Sequence, residues 1–179
     1  MNTVYITKEY AIELLEKNQT PENVIGHCME VARVSEILAE ELNKHGYNLS
    51  IEIIKGAAML HDIARVNDNH GELGAKIVES KGYKIEAEII KKHMYYEITS
   101  DINCLTEIDI VCLGDRMVKE DKYVGLNLRM NYILNKFKNN PQAEERIKSK
   151  IIEHSILLKK IESLTGKSID DLMNMKGNK

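Results

Sequence analysis

The chain has 179 residues, 43% of them apolar, and a formal net charge of -3. That length and composition fit one domain with a sizeable core, and the charge supplies no global basic field to recruit nucleic acid or an anionic membrane. No apolar run is long enough to span a bilayer and the first residues lack a signal-peptide pattern, so the cytoplasm is the expected location.

With only 2 prolines, 1 phenylalanine and no tryptophan among abundant Ile, Leu, Glu and Lys, the sequence reads as all-α. A short helix starts after Thr7 and runs through Leu14 and Leu15 towards Asn18. Thr20 then serves as N-cap with Pro21 at the first helical position of a long helix, which Gly46 ends. Ser50 caps the next helix, Gly82 ends the one after it, and Ile85 opens a further helix. Residues 97–105 form a polar connector. Thr106, with Asp109 three residues on, resembles a capping box. Asn140-Pro141 starts a helix carrying Ile147, Ile151, Leu158 and Ile161, which Gly166 ends. Ser168 with Asp171 starts a short last helix, and Met175 to Lys179 reads as a frayed tail. The economical organisation is one domain over 1–179, with a core of about 20–135 and a C-terminal helical addition over about 140–176.

Six ionisable residues continue or border the apolar stripes of these helices. Ile54, Ala57, Ala58 and His61 fall at i, i+3, i+4 and i+7, and Asp62 follows directly. His27 borders the seam formed by Val24, Cys28, Val31, Ser35, Leu38 and Leu42. His70 is in register with Gly74 and Ile77, and His93 with Ile85 and Ile89. Asp115 completes the stripe of Ile108, Val111 and Cys112. A single core histidine bonded to a carbonyl is commonplace. Five such groups beside Asp62 cost free energy unless something compensates them, and imidazole and carboxylate are ligands for ions such as Zn, Fe and Mn. Cys28, Cys104 and Cys112 have no Cys-x-x-Cys spacing, and Cys28 and Cys112 read as small buried hydrophobes. His45, at a helix C-terminus, and His154, on the stripe of Ile147, Ile151 and Leu158, read as a capping and a satisfied core or interface histidine.

The order of these residues resembles the HD-domain metal-dependent phosphohydrolases, whose signature is His…His-Asp…Asp. It is carried by His27 in Gly-His-Cys-Met-Glu-Val-Ala, by Ala-Ala-Met-Leu-His-Asp-Ile-Ala-Arg around His61 and Asp62, and by Asp115 in Cys-Leu-Gly-Asp-Arg, across about residues 20–135. His70, in Asn-His-Gly-Glu-Leu-Gly-Ala, and His93, in Ile-Ile-Lys-Lys-His-Met, occupy the places of the two extra histidines of two-metal members. This layout is similar to the branch of symmetrical diadenosine tetraphosphatases. Arg65 stands where many relatives carry a lysine, and the Gly-Tyr-Pro motif of cyclic-dinucleotide phosphodiesterases is absent.

The resemblance implies an HD-type helical bundle that holds two divalent transition-metal ions (Fe, Mn, Ni, Co or Zn), with Asp62 bridging them. His27, His61 and Asp115 would complete the first site, and His70 and His93 the second. The implied reaction is attack of a metal-activated hydroxide on a phosphoester or phosphoanhydride of a small phosphorylated metabolite, a nucleotide above all. Nucleic acid and membrane are not expected partners, and the oligomeric state stays open. Arg65 and Arg116 are the best-placed cations for substrate phosphate, with Lys92 and Arg129 behind them. Two alternatives keep the same fold: a di-iron oxygenase using the same six ligands, and a ligand-sensing module, against which the intact ligand set argues.

Overall fold

The computed structural model describes residues 5–175, and its architecture is all-α. Helices α1 (Lys8–Lys17), α2 (Glu22–Lys44), α3 (Ile51–Leu60), α4 (His70–Glu79), α5 (Lys84–Lys92) and α6 (Glu107–Asp115) precede a small antiparallel hairpin of β1 (Val118–Lys119) and β2 (Lys122–Tyr123). Helices α7 (Leu126–Lys136), α8 (Pro141–Thr165) and α9 (Ile169–Met175) follow. The expected tail beyond Met175 lies outside the described residues. Among those described, no helix is long and apolar enough to cross a membrane.

Helix α2, about 35 Å long at 1.5 Å per residue, is the axis of the molecule. Its buried Cys28, Val31, Ser35, Leu38 and Leu42 recur at helical spacing, and α3, α6, the hairpin, α8 and α9 all pack on it. Helix α3 is nearly all apolar and lies between α2 and α5, while α4 and α5 form a second pair at its side.

Small residues set the closest approaches. A Cβ on Gly114 would meet the Ser35 hydroxyl at 2.3 Å, so α6 lies directly against α2. A Cβ on Gly71 would meet the Lys91 carbonyl oxygen at 3.2 Å, and one on Gly74 would meet Ile63 at 3.0 Å, which brings α4 down onto α5 and the end of α3.

Several termini follow the local chemistry. Thr7 accepts from the Tyr10 N–H, Asn140 from that of Ala143, and Thr106 with Asp109 closes a capping box. Gly166 ends α8 in the left-handed conformation, at φ 68°. Other ends differ from expectation. Pro21 is itself the N-cap of α2, and the Thr20 hydroxyl instead donates to the Ile63 carbonyl, 2.8 Å away. Ser50 precedes α3 without a side-chain cap; its N–H donates to Glu107. Ile85 is exposed, so the buried face of α5 is Glu86, Ala87, Ile89 and Ile90. The hairpin and α7 are additional to the elements expected from the sequence.

Candidate metal centre

Every candidate ligand except His27 stands at a helix end or, for Asp62, in the turn just beyond α3. His61 caps the C-terminus of α3 and His93 that of α5, Asp115 is the last residue of α6, and His70 is the first of α4. The last carbonyls of a helix lack partners within it, and two histidines use them alike. His61 Nδ1 lies 2.8 Å from the Ala58 carbonyl oxygen, and His93 Nδ1 lies 2.6 Å from that of Ile90. His27, inside α2, finds its carbonyl in the hairpin: Nδ1 is 2.9 Å from the oxygen of Glu120. Glu120 holds the turn with φ 55°, and a Cβ on Gly26 would meet Asp121 at 3.1 Å, so the turn is pressed onto α2 beside His27.

With Nδ1 donating to a carbonyl, a neutral imidazole keeps its lone pair on Nε2. The Nε2 atoms all turn inwards. His27 Nε2 is 3.0 Å from Asp115 Oδ1, and His61 Nε2 is 3.9 Å from the same oxygen. Asp62 divides its two oxygens: Oδ2 lies 3.6 Å from His61 Nε2, while Oδ1 lies 3.2 Å from His70 Nε2 and 3.6 Å from His93 Nε2. The rings of His27 and His61, His61 and His93, and His70 and His93 are 5.2 to 5.4 Å apart. Two groups result, His27–His61–Asp115 and Asp62–His70–His93, and within each the ligand atoms lie within 4.8 Å of one another.

The donor set fits a cation. His61 Nε2 and His70 Nε2 are buried with no hydrogen-bond partner among the described residues, which is costly unless something fills the space between lone pairs. Ligand atoms about 2.1 Å from a transition metal stand roughly 3 to 3.5 Å apart, close to the separations seen here. The C-termini of α3, α5 and α6 also direct the negative ends of three helix dipoles at the cluster. The side chains can therefore hold a divalent metal.

The protonation tendencies reflect the same crowding. Burial pushes the Asp62 carboxyl up, but its imidazole neighbours His61, His70 and His93 outweigh it and hold the group well below the carboxylate range. For Asp115, burial is overcome by His27 and His61 with the same result. Burial dominates at His61 and favours its neutral form. Burial lowers His27 and His93 too, but Asp115 and Asp62 respectively bring each above its ordinary value.

The proposed phosphate ligands separate. Arg65 is half exposed at the rim, its Nε 3.5 Å from Asp62 Oδ2. Arg116 follows Asp115 but turns away: it donates to the Tyr96 carbonyl at 3.0 Å and from Nη1 to His154 Nε2 at 3.4 Å, tying α6 to α8. Lys92 pairs with Glu88 at 3.2 Å on the outer face of α5. The structure does not bring Arg116 and Lys92 into the cluster. Arg129 lies on α7 beside Tyr132. His154 is buried but only half satisfied, since its Nδ1 has no partner among the described residues. The thiols of Cys28 and Cys112 are buried and both are pushed up, Cys112 to about 12, which keeps them protonated. The groups missed by sequence reasoning are backbone carbonyls and glycines: Glu120, whose carbonyl orients His27, and Gly26, Gly71 and Gly114, which set the spacing. Gly26, Gly71 and Gly114, each directly beside a candidate ligand, are the signal the sequence offers.

The sequence is similar to those of several known proteins. An uncharacterized protein of Methanocaldococcus jannaschii is 32% identical over 97 residues, 52% of this chain and 57% of that protein. Ribonuclease Y of Latilactobacillus sakei is 30% identical over 130 residues, 65% of this chain, and that of Acetivibrio thermocellus is 30% identical over 129. The chain spans little more than half of the first relative and about a quarter of each Ribonuclease Y, 24% and 23%. No solved structure gives a significant match. The sequence model of the HD domain matches residues 24–165, from the start of α2 to the end of α8. The chain therefore belongs to the HD-domain family, whose members are in general metal-dependent phosphohydrolases.

Proposed function

We propose that this protein hydrolyses a phosphoester or phosphoanhydride of a small phosphorylated metabolite, a nucleotide above all, at a dinuclear metal centre in the cytoplasm. One observation carries the reading: four imidazole Nε2 atoms face two carboxylates, and Asp62 offers one oxygen to each group of ligands. His27, His61 and Asp115 would hold one ion and His70 and His93 the other, with Asp62 shared. When bound, divalent ions supply Lewis acidity, which activates water and stabilises charge on phosphoryl oxygens.

The chain's own residues do the positioning. The carbonyls of Ala58, Ile90 and Glu120 fix three rings with Nε2 facing inwards, so little reorganisation is needed as charge develops. Arg65 steadies Asp62 from the rim, and its half-exposed guanidinium is available to a phosphate oxygen. The matches to Ribonuclease Y favour a second substrate for the same site, a phosphodiester in RNA.

The test is elemental analysis of untagged protein, then hydrolysis assays on nucleotides, dinucleoside polyphosphates and short RNA with Mn, Co, Ni and Fe. Wild type should carry about two ions and release phosphate or nucleotide, while His61→Ala with Asp62→Ala should lose metal and turnover. Equal metal content in both would sink the proposal. Oxygen uptake without hydrolysis would transfer support to a di-iron oxygenase.

A further inference from the structure

Away from the metal cluster, three cations converge on one aromatic ring. Lys119 Nζ and Lys136 Nζ each lie 4.5 Å from the centre of the Tyr132 ring, and the Arg129 guanidinium carbon lies 6.0 Å from it. They come from β1 and from the first and last turns of α7. The negative face of a tyrosine attracts a cation, but one ring cannot neutralise three. None of the three forms an ion pair with a carboxylate among the described residues.

Two further observations point to a missing anion. The Nε of Arg129 is buried with no hydrogen-bond partner among the described residues, and a buried donor of this kind calls for one. The sequence around it is also stripped of acids. From Lys122 to Ala143 there is no Asp or Glu, in a chain that carries 28 of them. A solvated helix face ordinarily intersperses both signs, and this one presents a single sign.

The cluster is joined to the metal centre by short backbone links. Lys119 is the residue before Glu120, about 3.8 Å along the chain, and the Glu120 carbonyl is the group that holds His27. Gly125, the N-cap of α7, donates its N–H to the Met117 carbonyl at 3.1 Å, two residues beyond Asp115.

We infer that Lys119, Arg129 and Lys136, gathered around Tyr132, form an anion subsite for the phosphate chain of the substrate, away from the bond that is broken. The identity of the anion rests on the phosphohydrolase reading; the cation cluster does not.

The test begins with the 179-residue chain stripped of metal and titrated calorimetrically with inorganic tripolyphosphate. Wild type should bind, more weakly as salt rises. Lys119→Ala with Lys136→Ala, and Arg129→Ala alone, should each weaken binding by about tenfold or more. A charge-matched control, Lys81→Ala with Lys159→Ala, should bind as wild type does. Undiminished binding in the cluster variants, or equal loss in the control, overturns the inference. ATP and a short oligoribonucleotide, each competed against tripolyphosphate, separate a free nucleotide from a polynucleotide as the phosphate source, and competition by neither also overturns it. In metal-loaded protein the cluster variants should raise KM with kcat little changed. Turnover with an unchanged KM would remove the subsite and leave the hydrolase. Absent turnover with cluster-dependent tripolyphosphate binding would do the reverse.

Discussion

The two oxygens of Asp62 face different partners, His61 and Arg65 on one side and His70 and His93 on the other. Removing either His70 or His93 leaves the second group with Asp62 and one imidazole, so that ion should be lost far more readily than the first. His70→Ala or His93→Ala should lower metal content from about two ions to about one and depress turnover by several powers of ten, with native circular dichroism. Unchanged stoichiometry and near-normal rates would leave a single-metal site. These residues were legible in the sequence because His61, His70 and His93 continue apolar helical stripes with Asp62 beside the first, even though Ile85 of the His93 stripe is exposed. Several such groups together need a common partner that a lone core histidine does not. Arg116 stands apart from the cluster for a complementary reason. Adjacency to Asp115 fixes where its Cα lies but not which way a long flexible side chain turns, and Tyr96 and His154 draw it towards α8.

At the scale of elements, ligand spacing depends on how closely helices approach. Gly114→Ala would place a methyl group against the Ser35 hydroxyl, 2.3 Å away, in a contact with no slack. The expected cost is about 1 to 3 kcal/mol, with weaker metal retention because Asp115 is the next residue. Adding Ser35→Ala should recover most of the stability, since the Ser35 Cβ lies 3.5 Å away, an ordinary contact. Urea unfolding of the two variants checks this, and a single variant as stable as wild type would refute the tight contact. The α6–α8 junction has its own signature. Burial, then Arg116 and Lys150, lowers the His154 pKa to about 4. Its neutral form therefore contributes stability in full above the unfolded value, about 6.5, which is lost progressively as pH falls towards 4. His154→Gln should flatten this part of the acid limb of the stability curve, and an unaltered limb would show that His154 is not responsible for it. Capping signals made α1, α6 and α8 readable because they are local. Helix α7 carries only Leu126 and Met130 as fully buried residues, and each hairpin strand has two residues, so neither gives a periodic pattern. The positive φ of Glu120 has no cue in its side chain.

Across the whole molecule, the candidate site is where otherwise separate parts meet. Helices α2 to α6 each contribute a group to it directly or through the turn after α3, and the hairpin reaches it through Glu120. Carboxylate oxygens and imidazole lone pairs converge in a space closed by five helices, an arrangement that opposes the packing around it unless a cation joins them. A ligand that binds only the folded chain stabilises it by mass action. At a hundredfold excess over Kd this is about 2.7 kcal/mol, and a domain of this size shifts by roughly 2 to 4 °C per kcal/mol, so chelation should lower Tm by about 5 to 10 °C. The shift should reverse on adding back Mn or Co and be absent in His61→Ala with Asp62→Ala, whose own Tm no longer depends on metal. If EDTA removes the ions, as shown by elemental analysis, and the melting curve does not move, the metal does not join these helices.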